Sequence, residues 1–497
     1  MAYAKQAEPY FPPKRLENSW CEAIASKSTA SATPIRNTEM GPFITDVPKS
    51  VLQDVILKLP TKSIIMCKSV CKTWYSLISD PAFARLHFAQ AEAYPMVRPV
   101  DGRSVSRNLF LVEPEDSFGF DLKDHDCNRS RVHMNLSKYK FPLCHAEELL
   151  NYHRNGNVMP SHETEREVHM KITKIDDNNN EVDWGESIAF TMQYDHNNYN
   201  LVNSCNGLLC LSDFFVKYPA AVCNPVTGEF INLPHGPQHE KAMTLIGSGL
   251  GFSPRTNKYK VVRILKERTP DPNKVAEIHT LGTGSWKSVG TAPCSDSQQS
   301  FPTCVKGMLY WFCGEWTCAS VISFDLDTEE FKSVPSLPFR EGGRDVGMGD
   351  LGGSLCLCKI ESFEINVWVM NDSGPQKLWM KKISTRTGFA RSWPSGIYIP
   401  MKYFENDGLL LFNSCLNAFF YHHPGNHSPF IYLKLREMNY SSSEAISHVP
   451  SFISLKDILV GKDVEILNIN SRCAVLKLPG ETEALSLVEE NASSILF

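Results

Sequence analysis

The chain has 497 residues, a net charge of −5 and 42% hydrophobic residues, a composition that excludes collagen-like and low-complexity proteins. The acidic balance argues against a general nucleic-acid or acidic-membrane binder, so we expect neither as a partner. No run reaches the roughly 18–20 apolar residues that span a bilayer. Residues 1–20 lack the apolar core of a secretory signal, so the 16 cysteines predict reduced thiols and a location in the nucleus and/or cytoplasm.

The first 90 residues contain two zones of different composition. Residues 1–42 lack hydrophobic periodicity and contain several prolines, which predicts a disordered tail. Residues 43–90 instead show helical spacing and predict three or four short helices. Apolar residues of the first predicted helix recur three or four positions apart at Val51, Val55, Ile56 and Leu59.

Two further helices are predicted after this one. Pro60 ends the first helix, and Thr61 is placed to cap the second. A later apolar stripe consists of Val70, Trp74, Leu77 and Ile78. About 45 residues are too few for an independent core, so much of this apolar surface must be covered by another structure. A partner protein and the rest of this chain are both consistent with the pattern.

Beyond residue 107 the sequence repeats short strands separated by turns. Four apolar runs begin with a glycine, at Gly207, Gly307, Gly353 and Gly408. An aromatic residue opens a later strand of each unit, at Phe230, Trp286, Phe331 and Trp379, with spacings of 45 to 56 residues. A unit of this length holds about four strands and cannot cover both faces of its own sheet, which favours closure into a ring.

We therefore predict an all-β, kelch-like β-propeller of six or seven blades at residues 107–450, with an array of β-sandwiches as the structural alternative. The glycine-led strands are expected near the inner side, and the aromatic residues between blades. We expect a linker at 91–106, an insertion at about 113–187, and ring closure or a C-terminal extension at 451–497.

Fixed spacings in both regions resemble a known family. The helical zone resembles the F-box, through Val47-Pro48, Leu59-Pro60, Val70-Cys71-Lys72, Trp74, Leu77-Ile78 and Asp80-Pro81. The repeat region resembles the plant F-box-associated, kelch-like domain, through Ser204–Leu211, Asn224–Phe230 and Gly249–Pro254. The family usually begins with Leu-Pro. Val47 is smaller than leucine, so we expect a contact weaker by about 0.5–1.5 kcal/mol.

The resemblance implies the substrate receptor of a Skp–cullin–F-box ubiquitin ligase. The F-box would dock on a Skp adaptor, and through it on a cullin–RING ligase, while the propeller binds a target protein. It implies a non-catalytic subunit with neither cofactor nor metal. The family's adaptor contacts fall on Pro48, Ile56, Leu59, Pro60, Val70, Cys71, Trp74, Leu77 and Ile78. Trp74 is the expected anchor, because buried aromatic residues dominate interface energies. Each of these positions is also consistent with the internal core.

Two other functions stay open: a propeller enzyme or small-molecule binder with a helical cap, and a scaffold that binds the adaptor without delivering targets. No motif identifies the target. Loops Phe214–Pro219, Gly314–Thr317 and Arg386–Ser395 are candidate contact sites because of their aromatic and charged content. The basic run Lys377–Lys382 is interpreted as a solvated outer strand, with a docking patch as the alternative. Cys356 and Cys358 lack the further ligands that zinc requires.

Overall fold

The computed structural model begins at residue 47. It describes residues 47–100, 108–114, 134–140, 142, 165–175, 181–193, 199–213, 217–234, 243–269, 272–293, 302–314, 319–339, 345–361, 364–371, 378–386, 396–404, 407–413, 415–416, 418–422, 431–434, 442–459, 464–469, 473–476 and 485–488. The predicted tail at 1–42 lies outside these residues. Within them, no helix has the length and apolar character that crossing a membrane requires. The chain divides into two compact units at Asp54–Val55, so residues 55–90 and the strands belong to one unit.

Four short helices occupy the predicted helical zone: α1 Lys49–Leu57, α2 Thr61–Cys67, α3 Lys72–Ile78 and α4 Pro81–Gln90. Asp80 caps α4, because its carboxylate accepts the Ala82 amide at 2.9 Å. The predicted cap at Thr61 is wrong. Pro60 holds the cap position of α2, and the Thr61 hydroxyl donates to Glu113, whose carboxylate is a stronger acceptor than a neutral group.

The strands from Tyr94 to His448 form six antiparallel sheets, the blades of a β-propeller. Blade 1 contains β1 Tyr94–Val100, β2 Asn108–Pro114, β3 Met134–Lys140 and β26 Ser442–His448. Blade 2 contains β6 Tyr199–Cys205, β7 Leu208–Asp213, β8 Pro219–Cys223 and β9 Glu229–Asn232. Blade 3 contains β10 Met243–Ser253, β11 Lys258–Glu267, β12 Lys274–Thr280 and β13 Lys287–Thr291. A separate hairpin precedes blade 2, with strands β4 Glu165–Ile175 and β5 Glu181–Gln193. The predicted all-β propeller is confirmed, with six blades.

Blades 4 to 6 repeat the same four-stranded order. Blade 4 contains β14 Thr303–Val305, β15 Met308–Gly314, β16 Ala319–Asp325 and β17 Glu330–Lys332. Blade 5 contains β18 Val346–Asp350, β19 Leu355–Glu361, β20 Glu364–Asn371 and β21 Leu378–Arg386. Blade 6 contains β22 Tyr398–Tyr403, β23 Leu409–Asn413, β24 Ala418–His422 and β25 Ile431–Lys434. The first strand of each blade lies beside the first strands of its neighbours, so β26, β6, β10, β14, β18 and β22 line the inside of the ring.

Blade 1 joins strands from the two ends of the repeat region. β26 pairs with β1 from Tyr94 opposite His448 to Val100 opposite Ser442. Because this pairing joins the first and last strands of the repeat region in one sheet, the ring of blades is closed. The interval 91–106 that we expected to be a linker therefore contains β1, and the closing strand precedes residue 451. Pro95 in β1 conceals the strand in the sequence, because proline is unfavourable between two paired neighbours.

The repeated glycines occupy the turns between the first and second strands of their blades. Gly207 and Gly307 have φ of +83° and +80°, and the preceding Asn206 and Lys306 have +45° and +47°. Two positive φ values in a two-residue hairpin turn favour glycine strongly. The glycine-led strands are the second strands of their blades, directly beside the innermost strands, which agrees with the expectation that they lie near the inner side.

Neighbouring blades share apolar cores. Trp311 of blade 4 is completely buried in a cluster that contains side chains of blades 3 and 4. Three of the four predicted aromatic positions, Trp286, Phe331 and Trp379, pack in clusters shared by neighbouring blades as expected. The Trp286 indole donates to the Pro234 carbonyl at 2.8 Å, and the Trp379 indole to the Pro335 carbonyl at 3.3 Å. Each indole thus fills the space next to the preceding blade and satisfies its polar group there.

After closing the ring, the chain returns to blade 2. The Asn224 side-chain amide donates to the carbonyls of Ser451 and Ile453, both at 2.9 Å. The following elements are α5 Leu455–Ile458, β27 Leu467–Asn468, and the hairpin strands β28 Cys473–Leu476 and β29 Leu485–Val488. β27 pairs with β9 as a fifth strand, so this part of 451–497 extends blade 2.

Candidate functional site

The nine predicted adaptor-binding residues differ in exposure. Three are buried, at 0 or 1% exposed: Ile56, Leu77 and Ile78. Three are half-buried: Leu59, Pro60 and Trp74. The exposed ones are Pro48, Val70 and Cys71. The buried side chains support the helices from within, so the exposed and half-buried ones are those that a partner can reach.

Exposed apolar side chains are concentrated in the helical zone. Nine large hydrophobic residues of the described chain are exposed, and seven of them lie between residues 47 and 86. The clearest in the second unit are Val55, Met66, Val70 and Tyr75, at 56, 64, 63 and 53% exposed. We call these four residues the helical docking surface. Such a concentration on a folded protein indicates a binding site for another protein.

Three of the four residues of this surface are not among the predicted adaptor contacts. Val55 fitted the apolar stripe of the first helix, and Met66 and Tyr75 matched no position of the F-box pattern. Helical spacing shows that a residue belongs to an apolar face, and it does not show whether that face is covered.

A buried carboxylate attaches the second helix to blade 1. Glu113 on β2 is 4% exposed, and its Oε1 accepts the Thr61 amide at 3.2 Å and the Thr61 hydroxyl at 2.8 Å. Its Oε2 accepts the Ser137 hydroxyl of β3 at 3.3 Å. Buried carboxylates require donors of this kind, and hydrogen bonds to a charged group are stronger than neutral ones. The start of α2 is therefore fixed to the outer half of blade 1.

An aromatic cluster attaches the fourth helix to the segment after β26. The ring centroids of His87 and Phe452 are 4.8 Å apart, and those of Phe83 and Phe452 are 6.3 Å apart. Burial lowers the pKa of His87 to about 4, so its imidazole is neutral at pH 7. The Lys68 ammonium lies 5.6 Å from the centre of the Phe452 ring. Burial lowers the pKa of Lys68, and the charge of Glu229 opposes this shift.

The sequence contains only a weak signal for these attachments. Glu113 follows the apolar run Leu109–Val112 in a strand, which is an unusual place for a carboxylate. Its partner Thr61 lies 52 residues away in the chain. No local pattern connects two residues at that separation, so the contact is visible only in the fold.

Several cysteines, including the two weighed as zinc ligands, lie in the apolar core. Cys356 and Cys358 are 0% exposed, and burial raises the pKa of both thiols. Burial raises the pKa of Cys210 to about 12. A thiol that stays protonated is a poor nucleophile and a poor metal ligand. In the part of the chain that the structure describes, no group of three or more His, Cys, Asp or Glu residues could hold a metal ion.

The loops that we selected for target binding lie mostly outside the described residues. Of Phe214–Pro219 the structure describes residues 217–219, and of the other two loops it describes Gly314 and Arg386. Their role stays a prediction, and the target-binding residues stay unknown.

Family comparisons match both regions. The family model described as "F-box domain" matches residues 44–86, the zone that contains the helical docking surface. The model described as "F-box associated beta propeller domain" matches residues 158–421, which include blades 2 to 5 and most of blade 6. The second match covers more than half of the 497 residues.

Curated relatives come from Arabidopsis thaliana. F-box protein At3g07870 is 28% identical over 42% of this chain and 56% of its own length, so the aligned part spans just over half of that protein. F-box/kelch-repeat protein At3g23880 is 24% identical over 77% of this chain and 91% of its own length. A distantly similar solved structure is that of the Malassezia sympodialis allergen Mala s 1, with 10% identity, a TM-score of 0.32, and coverage of 54% of this chain and 91% of that chain. The sequence, the six-bladed fold and the two family matches agree, and the chain belongs to the plant F-box proteins that carry an F-box associated β-propeller domain.

Proposed function

We propose that this chain is the substrate receptor of a Skp–cullin–F-box ubiquitin ligase. The observation that carries the proposal is the helical docking surface, which lies within the residues matched by the F-box family model. Its four apolar side chains are exposed to water in the isolated chain, which is unfavourable. An adaptor of the Skp type that covers them removes this apolar surface from water and gains free energy of binding. The adaptor in turn connects the chain to a cullin–RING ligase.

The second contribution of the chain is position. Glu113 holds Thr61 of α2, and Phe452 packs on His87 of α4, so two helices have fixed contacts with the propeller unit. A target bound to the propeller is then held at a defined place relative to the adaptor. This raises the effective concentration of target lysines near the charged ubiquitin carrier. In this proposal the chain itself performs no covalent step, and it acts in the nucleus and/or cytoplasm.

The test is binding of the full chain to a purified plant Skp-type adaptor by isothermal titration calorimetry. Met66→Asp and Val70→Asp each place a charge on the helical docking surface, and we expect each to lower the affinity at least about tenfold. Leu378→Asp is the matched control, because Leu378 is 59% exposed but lies on blade 5. Absence of adaptor binding by the unmodified chain, or equal losses in all three variants, would overturn the proposal.

A second assay separates a ligase receptor from a scaffold. In cells, a target of the ligase should accumulate when Met66→Asp replaces the unmodified chain, and its ubiquitinated form should decrease. Partners whose abundance and ubiquitination are the same with both chains would instead support the scaffold function. Imaging of a fluorescent fusion of the full chain tests the proposed compartments.

A further inference from the structure

The outer strand of blade 5 differs from the other outer strands of the propeller. Leu378 and Met380 on β21 are 59 and 56% exposed, and they are the two exposed large hydrophobic residues that the described chain has outside the helical zone. β21 has nine residues, whereas the outer strands β3, β13, β17 and β25 have seven, five, three and four. Proteins usually keep their edge strands short or polar, so a long edge with apolar side chains indicates a binding site.

Leu378 and Met380 lie on the face of blade 5 that packs toward blade 6. Met380 is directly opposite Val369, and Val369 packs against a core cluster that includes blade 6 side chains. Trp379 points to the opposite face, where it joins the cluster shared with blade 4. Because side chains alternate along a strand, Leu378 shares the face of Met380. The two residues therefore extend the face between blades 5 and 6 outward into solvent.

The same strand has an edge that can accept another strand. Among the residues that the structure describes, β21 pairs with β20 alone and ends the sheet. The register of β21 on β20 is regular from Leu378 to Lys381 and shifts at Lys382, so Leu378–Lys381 is the part of this edge with the geometry to pair with an extended segment. Addition of a strand to such an edge is a common mode of peptide recognition, in which the backbone gives affinity and alternate side chains give specificity.

The charge of this edge selects among occupants. The Lys381 ammonium lies 5.4 Å from the centre of the Trp368 ring, and the Lys382 ammonium 5.0 Å from that of the Tyr403 ring. Within the described ranges, neither lysine forms an ion pair with a carboxylate. Two copies of β21 placed edge to edge would bring lysines together, which is unfavourable. An acidic segment would instead compensate both charges.

We propose that the outer edge of β21 binds an extended segment of a target protein in which apolar and acidic residues alternate. The inference rests on the proposed function only in that the segment belongs to a ubiquitination target. The segment adds a strand beside β21. Its apolar side chains contact Leu378 and Met380 on the face toward blade 6, and its alternating carboxylates face Lys381 on the opposite face. An acidic residue beyond the alternating stretch faces Lys382, which follows the register shift and lies over Tyr403 of blade 6.

The probe is a library of phage-displayed random peptides of about 12 residues, selected on the immobilised full chain. We expect selection of alternating apolar and acidic sequences. The affinity of a selected peptide, measured by fluorescence anisotropy, should fall at least about tenfold with Met380→Asp, with Lys381→Glu plus Lys382→Glu, and with N-methylation of alternate peptide nitrogens. Thr291→Asp on β13 is the matched control, because Thr291 is exposed on the outer strand of blade 3, and it should leave the affinity unchanged.

Several results would overturn the proposal: no enrichment of such peptides, no response to the β21 variants, or no effect of N-methylation. A dimer of the full chain that Met380→Asp dissociates in sedimentation would also overturn it, because the occupant would then be a second copy. Adaptor binding is measured in parallel and should be the same for Met380→Asp and the unmodified chain. A chain that binds the peptide but no adaptor would contradict the proposed function alone, and the converse would contradict this inference alone.

Discussion

The helical zone and the propeller use apolar residues in opposite ways. Val70 in the helical zone is 63% exposed, whereas Trp311 in the propeller is 0% exposed. Both belong to regular apolar patterns in the sequence. Four short helices provide too little structure to enclose their own apolar faces. A blade has the same difficulty, but its neighbours in the ring cover both of its faces. An apolar pattern therefore predicts burial only where the same unit also supplies the residues that cover it.

The largest expected effect concerns the propeller, in which neighbouring blades cover each other's apolar faces. Trp311→Ala removes a fully buried side chain and leaves the Ser248 carbonyl without the indole donor that lies 3.0 Å away. We expect the free energy of unfolding, measured by urea denaturation, to fall by about 3–5 kcal/mol. Leu378→Ala is the control and should change it by less than about 0.5 kcal/mol. Similar losses for both variants would show that the propeller core is less closely packed than described.

The next largest effect concerns the connection between the two regions. Glu113→Ala leaves the amide and hydroxyl of Thr61 without their acceptor, and Thr61 is 2% exposed. We expect a loss of about 2–3 kcal/mol and faster hydrogen exchange at the start of α2. Glu330→Ala, which removes an exposed carboxylate paired with Lys332, is the control. Unchanged exchange in α2 would mean that the helix does not depend on Glu113.

The pH dependence of stability tests the contact between His87 of α4 and Phe452. Burial lowers the pKa of His87 to about 4, below the 6.5 of an exposed histidine. As the pH falls from 6.5, the unfolded chain binds a proton that the folded chain does not, so stability decreases until the pH reaches about 4. Between pH 6.5 and 5 the free energy of unfolding decreases by about 2 kcal/mol because of His87.

His87→Phe keeps an aromatic ring beside Phe83 and Phe452 without a group that titrates. We therefore expect urea denaturation of this variant to lose about 2 kcal/mol less than the unmodified chain between pH 6.5 and 5. His448, whose pKa burial lowers to about 3, contributes in the same direction in both proteins. An equal pH dependence in the two proteins would contradict the buried, neutral state of His87.

The smallest expected effect on stability concerns the exposed apolar side chains of the helical zone. Val70→Ser changes a side chain that is 63% exposed, so we expect the free energy of unfolding to stay within about 0.5 kcal/mol. The affinity for a Skp-type adaptor should decrease nonetheless, because the variant removes apolar area from the helical docking surface. A loss of stability comparable to that of Glu113→Ala would show that Val70 supports the core.

Several features of the site could be predicted from the sequence because they depend on neighbours in the chain. The glycine repeat at Gly207 and Gly307 was visible because each blade needs a tight turn between its first and second strands, although the positive φ of that turn was not predicted. The indoles of Trp286 and Trp379 recur with the period of the blades. The aromatic period also indicated a ring of repeated blades, since each unit needs the next to cover it.

The order of the two domains and the period of the repeat could be read from the sequence, because they are local or periodic properties. The tertiary structure shows how the ring closes, because Arg98 of β1 and Glu444 of β26 meet across 346 residues of chain. It also decided that Ile56 is core and Val55 is surface, although the two are adjacent on one helix. The physical reason is that burial depends on what packs against a face, and that partner is specified elsewhere in the chain or in another molecule.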